Sequence, residues 1–166
     1  MEQSGASLCR AKDGKINPDW KYFFEKEFIM IGVLLVTHGP LGENLIDAAV
    51  HVLGSRPQLL EALDVSSRAE PKDIEATITL RMRALDKGDG VLVLTDVYGA
   101  TPSNCMCRAL APGHAAGVSG VNLPMLLKML NYRDLPLDQL AVKAAKGGQE
   151  GISIVSQDMC DAATGH

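Results

Sequence analysis

Apolar residues fall along this chain in two alternating rhythms. From Ile31 to Val36 nearly every residue is Leu or β-branched, and Gly39-Pro40 closes the run, which predicts a strand buried on both faces of a parallel sheet. Leu45, Ile46, Ala49, Val52 and Leu53 then recur at helical spacing up to Gly54, a glycine suited to a C′ stop. Gln58 to Val65 predicts a second, less apolar strand. Pro71 opens a helix whose Ile74, Ile78, Met82 and Leu85 keep the 3.6-residue period until Gly88.

The third strand spans Gly90 to Asp96 and ends in the turn Val97 to Ala100. Thr101-Pro102 offers an N-cap hydroxyl and an N1 proline, so a helix is expected from Pro102 to about Leu110. Ala115 to Val121 predicts a Gly-rich fourth strand that a neighbour approaches closely. Asn122 caps a helix holding Met125 to Leu130, and Leu135-Pro136 introduces another, from Leu137 to about Lys146, that stops at Gly147-Gly148. Gly151 to Val155 reads as a short last strand before a polar tail. Strands alternating with helices predict an α/β fold: a doubly wound, mainly parallel open sheet of order 2-1-3-4 with a short C-terminal edge strand.

Residues 1–28 stand apart from this alternation. Met1 to Asp19 is polar without periodicity, and Trp20 to Phe28 mixes aromatics with charge, with a short helix expected around Trp20 to Lys26. There is no apolar stretch followed by small residues, so an export signal is not expected. The division expected is an N-terminal extension over 1–28, one domain over 29–155 and a C-terminal tail over 156–166. In a chain of 166 residues this leaves material for one substantial core.

Composition narrows the function. The net charge of −4 and a pI near 5.5, with no face rich in Lys and Arg, lack the footprint of a nucleic-acid binder. The longest apolar runs are strand-sized, well short of the ~20 residues that span a bilayer, so no direct membrane insertion is expected. Cys9, Cys105, Cys107 and Cys160 show no C-x-x-C pair and read as reduced thiols of a cytoplasmic protein. His51, His114 and His166 have no i, i+4 partner, and no metal is expected. A nucleophile elbow, a Walker loop and a complete G-x-G-x-x-G are all missing.

The remaining chemistry gathers at the carboxyl ends of the strands, where open α/β sheets bind ligands at the point of strand-order reversal. Strand one ends in Thr37-His38-Gly39, strand three in Thr95-Asp96-Val97-Tyr98-Gly99, and strand four in Gly120-Val121-Asn122. A carboxylate that accepts a hydrogen bond from Nδ1 fixes the tautomer, frees the Nε2 lone pair for attack on phosphorus and stabilises the cationic ring that results. His38 is therefore the candidate nucleophile and Asp96 its orienter. Thr101 and the helix start it belongs to would supply donors to a phosphoryl group, and Gly39 and Gly99 would let the backbone come close. Taken singly, each has a plainer use: a strand-end histidine can be a satisfied polar residue, and Asp96 can cap a turn.

Three motifs in order carry a resemblance: Val36-Thr-His-Gly39, Leu94-Thr-Asp-Val-Tyr-Gly-Ala-Thr-Pro102 and Gly120-Val-Asn-Leu-Pro-Met-Leu126. From about Met30 to Val155 the chain resembles the IIA components of the mannose/fructose/sorbose type in the bacterial phosphoenolpyruvate-dependent sugar phosphotransferase system. The resemblance implies that His38 takes a phosphoryl group on Nε2 from the phosphocarrier HPr and passes it to a IIB partner. It implies Asp96 as the supporting carboxylate, a phosphate-side role for Thr37, Gly39, Gly99, Thr101 and Asn122, and no metal or organic cofactor. It also implies a homodimer that exchanges the strand Gly151 to Val155. The turn Gly99-Ala-Thr-Pro102, where a second glycine is common, and the continuation Ser103-Asn-Cys-Met106 differ from the usual pattern and bear on partner choice. With no linker or IIB portion after Val155, the alternative is a regulatory module whose phosphorylation state controls a partner.

Overall fold

The computed structural model describes residues 30–65 and 69–164. The expected helix around Trp20 to Lys26 lies outside them. Four parallel strands, β1 (Gly32–His38), β2 (Leu60–Val65), β3 (Val91–Thr95) and β4 (Ala115–Ser119), form one sheet of order β2-β1-β3-β4. Connecting and following them are helices α1 (Leu41–Leu53), α2 (Pro71–Leu85), α3 (Thr101–Ala109), α4 (Leu123–Leu130), α5 (Leu137–Glu150) and α6 (Gln157–Thr164). The sheet order is the one expected.

The two faces of the sheet divide the core by the strand's period of two. Val33, Leu35, Leu92 and Leu94 pack on one face with Ile46, Leu126 and Leu140. On the other, Leu34, Val36, Val91 and Val93 pack with Ile74, Ile78, Met82, Leu85, Cys105 and Met106. The central strands are buried along both faces, which is why they read as unbroken apolar runs. Each such Leu, Ile or Val contributes about 1.5–3 kcal/mol through burial, so β1 and β3 form a stiff base for whatever stands at their ends.

Local signals explain most boundaries. Gly54 ends α1 with φ of 80°, its N–H donating to the Val50 carbonyl, and the Asn122 side chain accepts from the Met125 N–H at 2.9 Å. The four apolar residues expected in α2 are all buried. Val52 and Leu53, expected on the core face of α1, are instead exposed in its last turn.

Three expectations are corrected. α5 does not stop at Gly147-Gly148 but runs to Glu150. Those glycines are packing positions: a Cβ on Gly147 would lie 2.5 Å from Lys128 Cβ, and one on Gly148 2.8 Å from Met125 Cε, so they let α5 lie against α4. Thr101 is the first residue of α3 and not its N-cap, a position held by Ala100 without a side-chain hydrogen bond. Gly151 to Val155 forms no strand, because a strand needs a ladder and it makes none with the described residues of its own chain; Ile152, Ile154 and Val155 are all exposed. Beyond it the chain closes with helix α6.

Candidate active site

β1 and β3 are neighbours, paired up to Val36 and Thr95, so the residues just beyond that pair meet at the carboxyl edge. His38 Nδ1 lies 2.9 Å from Asp96 Oδ2. The same oxygen accepts the His38 backbone N–H at 2.9 Å, and Asp96 Oδ1 accepts the N–H of Val97 at 2.8 Å. The carboxylate is thus held at both oxygens and by both the backbone and the ring of the residue it serves.

The electrostatics follow from that arrangement. Burial disfavours the Asp96 charge, but the His38 backbone N–H, the His38 ring and the Val97 N–H together outweigh it and hold the carboxyl below the usual carboxylate range. An ionised carboxylate only accepts, so the hydrogen of the neutral ring sits on Nδ1. Nε2 then carries the lone pair and has no hydrogen-bond partner among the described residues. The side chain of Asp96 is only 9% exposed while that of His38 is 51% exposed, so the orienting group is sheltered and the ring it holds is open to an incoming molecule.

The glycines flanking the pair hold left-handed backbone: Gly39 at φ 55° and Gly99 at φ 81°. Any other residue would be strained in these turns. Asn104 Nδ2 donates to the Gly99 carbonyl at 2.9 Å and closes the turn between β3 and α3. By alternation His38 shares the face of Leu34 and Val36, the face covered by α3. The start of α3 is therefore on the histidine's side of the sheet, its first turn uncapped by any side chain and Thr101 exposed.

Two other expected residues have different occupations. Thr37 is fully buried on the opposite face, and its Oγ1 accepts the Gly42 N–H at 2.8 Å, so it caps the first turn of α1. Asn122 is committed at both ends of its side chain, to the Met125 N–H and, through Nδ2, to the Gly148 carbonyl at 3.2 Å. Both hold helices that frame the edge. Val97, whose N–H completes the hold on Asp96, was not foreseen, since backbone donors leave no mark on a sequence pattern.

A doubly wound α/β domain with an aspartate-held histidine at its switch point is the class of protein that fold and site define. The chain belongs to the EIIA-man family, whose model, described as PTS system fructose IIA component, matches residues 32–146. It is 30% identical over 125 residues to the PTS system mannose-specific EIIAB component of Escherichia coli K12, covering 74% of this chain and 38% of that protein. The chain thus spans well under half the length of that relative. It is 26% identical over 125 residues to the transcriptional regulatory protein LevR of Bacillus subtilis, covering 73% of this chain and 13% of that protein. Among solved structures, the mannose/sorbose specific IIA subunit from Enterococcus faecalis superposes with a TM-score of 0.69 at 19% identity, covering 76% of this chain and 96% of that one. Membership makes residues 32–146 a domain of the IIA type found in the sugar phosphotransferase system. Among the described residues no helix is long and apolar enough to cross a membrane.

Proposed function

We propose that this protein carries phosphoryl groups on His38 Nε2, taking them from HPr and passing them to a IIB component in the cytoplasm. The observation that carries this reading is the 2.9 Å contact between His38 Nδ1 and Asp96 Oδ2. Nε2 attacks phosphorus as the nitrogen–phosphorus bond of the donor breaks, and Asp96 balances the positive ring that forms. The N–H groups opening α3 and the Thr101 hydroxyl receive the phosphoryl oxygens, with Gly39 and Gly99 permitting the approach. Thr37 and Asn122 assist by fixing α1 and α4 around the edge. The reaction needs no metal or organic cofactor. On this reading residues 29–155 are the IIA domain, flanked by an extension over 1–28 and a tail over 156–166.

Incubation with phosphoenolpyruvate, enzyme I and HPr tests the assignment by intact mass. One acid-labile phosphoryl group is expected on the wild type and none on His38→Ala; an increment that survives the substitution sinks it.

The carrier works as a homodimer in which Gly151 to Val155 of each copy adds to the other's sheet. Its support is the exposure of Ile152, Ile154 and Val155, at 75%, 93% and 68%, together with a β4 edge that pairs with no further strand among the described residues. Sedimentation equilibrium decides this, and a monomer at all concentrations rules it out. The similarity to LevR favours a second reading, in which the phosphorylation state of His38 governs a regulatory partner. Pull-downs comparing wild type with His38→Ala separate the two, because a pure carrier retains no target that depends on phosphorylation apart from its transfer partners.

A further inference from the structure

Behind the site, three hydroxyls lie inside the protein. Thr95 Oγ1, Ser103 Oγ and Ser119 Oγ are hidden from solvent, and none has a hydrogen-bond partner among the described residues. Thr95 and Ser103 are fully buried as residues. Polar groups inside proteins are almost always hydrogen-bonded, so even one such orphan requires a cause.

The topology brings all three together. Thr95 and Ser119 are paired across β3 and β4, and alternation puts both on the α3 face, where Val93 packs with Met106. Helix α3 returns antiparallel to the strands, and Met106 lies against β4, its Cε 2.8 Å from where a Gly117 Cβ would be. One turn back toward the helix start is Ser103, about 5 Å away along the axis. Two residues on along β4 is Ser119, about 6.6 Å away in the same direction. Ser103 therefore lies toward the same end of the sheet as the Thr95–Ser119 pair, on the face they share.

We propose that these hydroxyls form a binding site for ordered water, which ties the first turn of α3 to the ends of β3 and β4. Each hydroxyl both donates and accepts, and an internal water typically makes about three hydrogen bonds. The consequence is positional. Thr95 immediately precedes Asp96, and its carbonyl already accepts the N–H groups of Gly120 and Val121, both at 2.9 Å. Direct bonds hold that strand end through its backbone, and the water holds it through its side chain. None of this depends on His38 accepting phosphate.

A high-resolution crystal structure of the full chain, unphosphorylated, tests the site, together with relaxation dispersion of the water signal in solution. The expected result is a water within hydrogen-bond distance of Ser103 Oγ and of at least one of Thr95 Oγ1 and Ser119 Oγ. A long-lived internal water signal should accompany it and be lost in Thr95→Val/Ser103→Ala/Ser119→Ala. Hydroxyls bonded to one another or to carbonyls, with no water between, overturn the proposal. Should the triple variant not fold, Ser103→Ala serves: loss or weakening of the water peak supports the site, and an unchanged peak overturns it.

Discussion

Each end of this sheet holds a charged side chain that collects backbone groups, and the two do so with opposite results. At the carboxyl end Asp96 gathers the N–H groups of His38 and Val97 and the His38 ring. At the amino end the Arg133 guanidinium gathers carbonyls: Nε donates to Ile31 at 2.9 Å, Nη1 to Gln58 at 2.6 Å, and Nη2 to Leu59 at 3.3 Å and to Ile31. Arg133 ties together the entries of β1 and β2 and steadies Leu59, which has φ of 50°. All of its bonds end on backbone. Asp96 ends on a ring that is half exposed with one nitrogen to spare. A partly buried charge at a sheet end therefore does not mark function by itself; what it leaves available does.

The largest expected effect tests the carboxyl end. Asp96→Asn loses the ionised acceptor that fixes the Nδ1–H tautomer, and phosphoryl transfer should fall about 10²- to 10⁴-fold, by analogy with other imidazoles deprived of an orienting carboxylate. Rapid-quench measurement of phosphoryl uptake from HPr reads this, with circular dichroism checking the fold. Unchanged transfer in a folded variant would remove Asp96 from the mechanism.

The amino end should answer in a different currency. Arg133→Met leaves the Ile31, Gln58 and Leu59 carbonyls without their charged donor, at an expected cost of about 2–4 kcal/mol in stability by urea denaturation. Transfer by the folded fraction should match wild type. If instead the rate falls while stability holds, the division between the two ends fails.

Thr37 tests a subtler boundary, since it adjoins His38 in sequence but serves α1 on the opposite face. Thr37→Val removes the acceptor for the Gly42 N–H and should cost about 0.5–2 kcal/mol, the range of a lost helix cap. Its effect on transfer should stay below about tenfold. A larger kinetic loss without a stability loss would return Thr37 to the phosphate side.

How much of this could be read in the sequence follows from the range of the forces involved. The sheet order and the core of α2 were legible because period-2 and period-3.6 burial write directly into residue order, and His38 and Asp96 were legible because both close strands. Thr37 and Asn122 lay at the same edge, but whether a side chain faces solvent or the next helix depends on a partner's position, here Gly42 and Gly148. Gly147-Gly148 looked like a helix stop because a glycine's local use and its packing use are written with the same letter. Arg133 gave no signal, as its acceptors are carbonyls far away in the chain.

The smallest effect expected is a difference in acid stability, and its sign separates the two ends once more. Asp96 is held below the ordinary carboxylate range when folded, against about 3.9 when unfolded. Its contribution is therefore complete above about pH 4 and is lost as pH falls through the folded value. Arg133 is pulled below its usual value by burial, but an arginine stays charged across this whole range, so it adds no acid limb. Urea midpoints from pH 7 to pH 3 should show wild type and Asp96→Asn separated by a constant gap down to about pH 4 and converging below it. Wild type and Arg133→Met should keep their gap throughout. A gap between wild type and Asp96→Asn that widens on acidification would mean that burial, not the three N–H donors, governs the Asp96 charge.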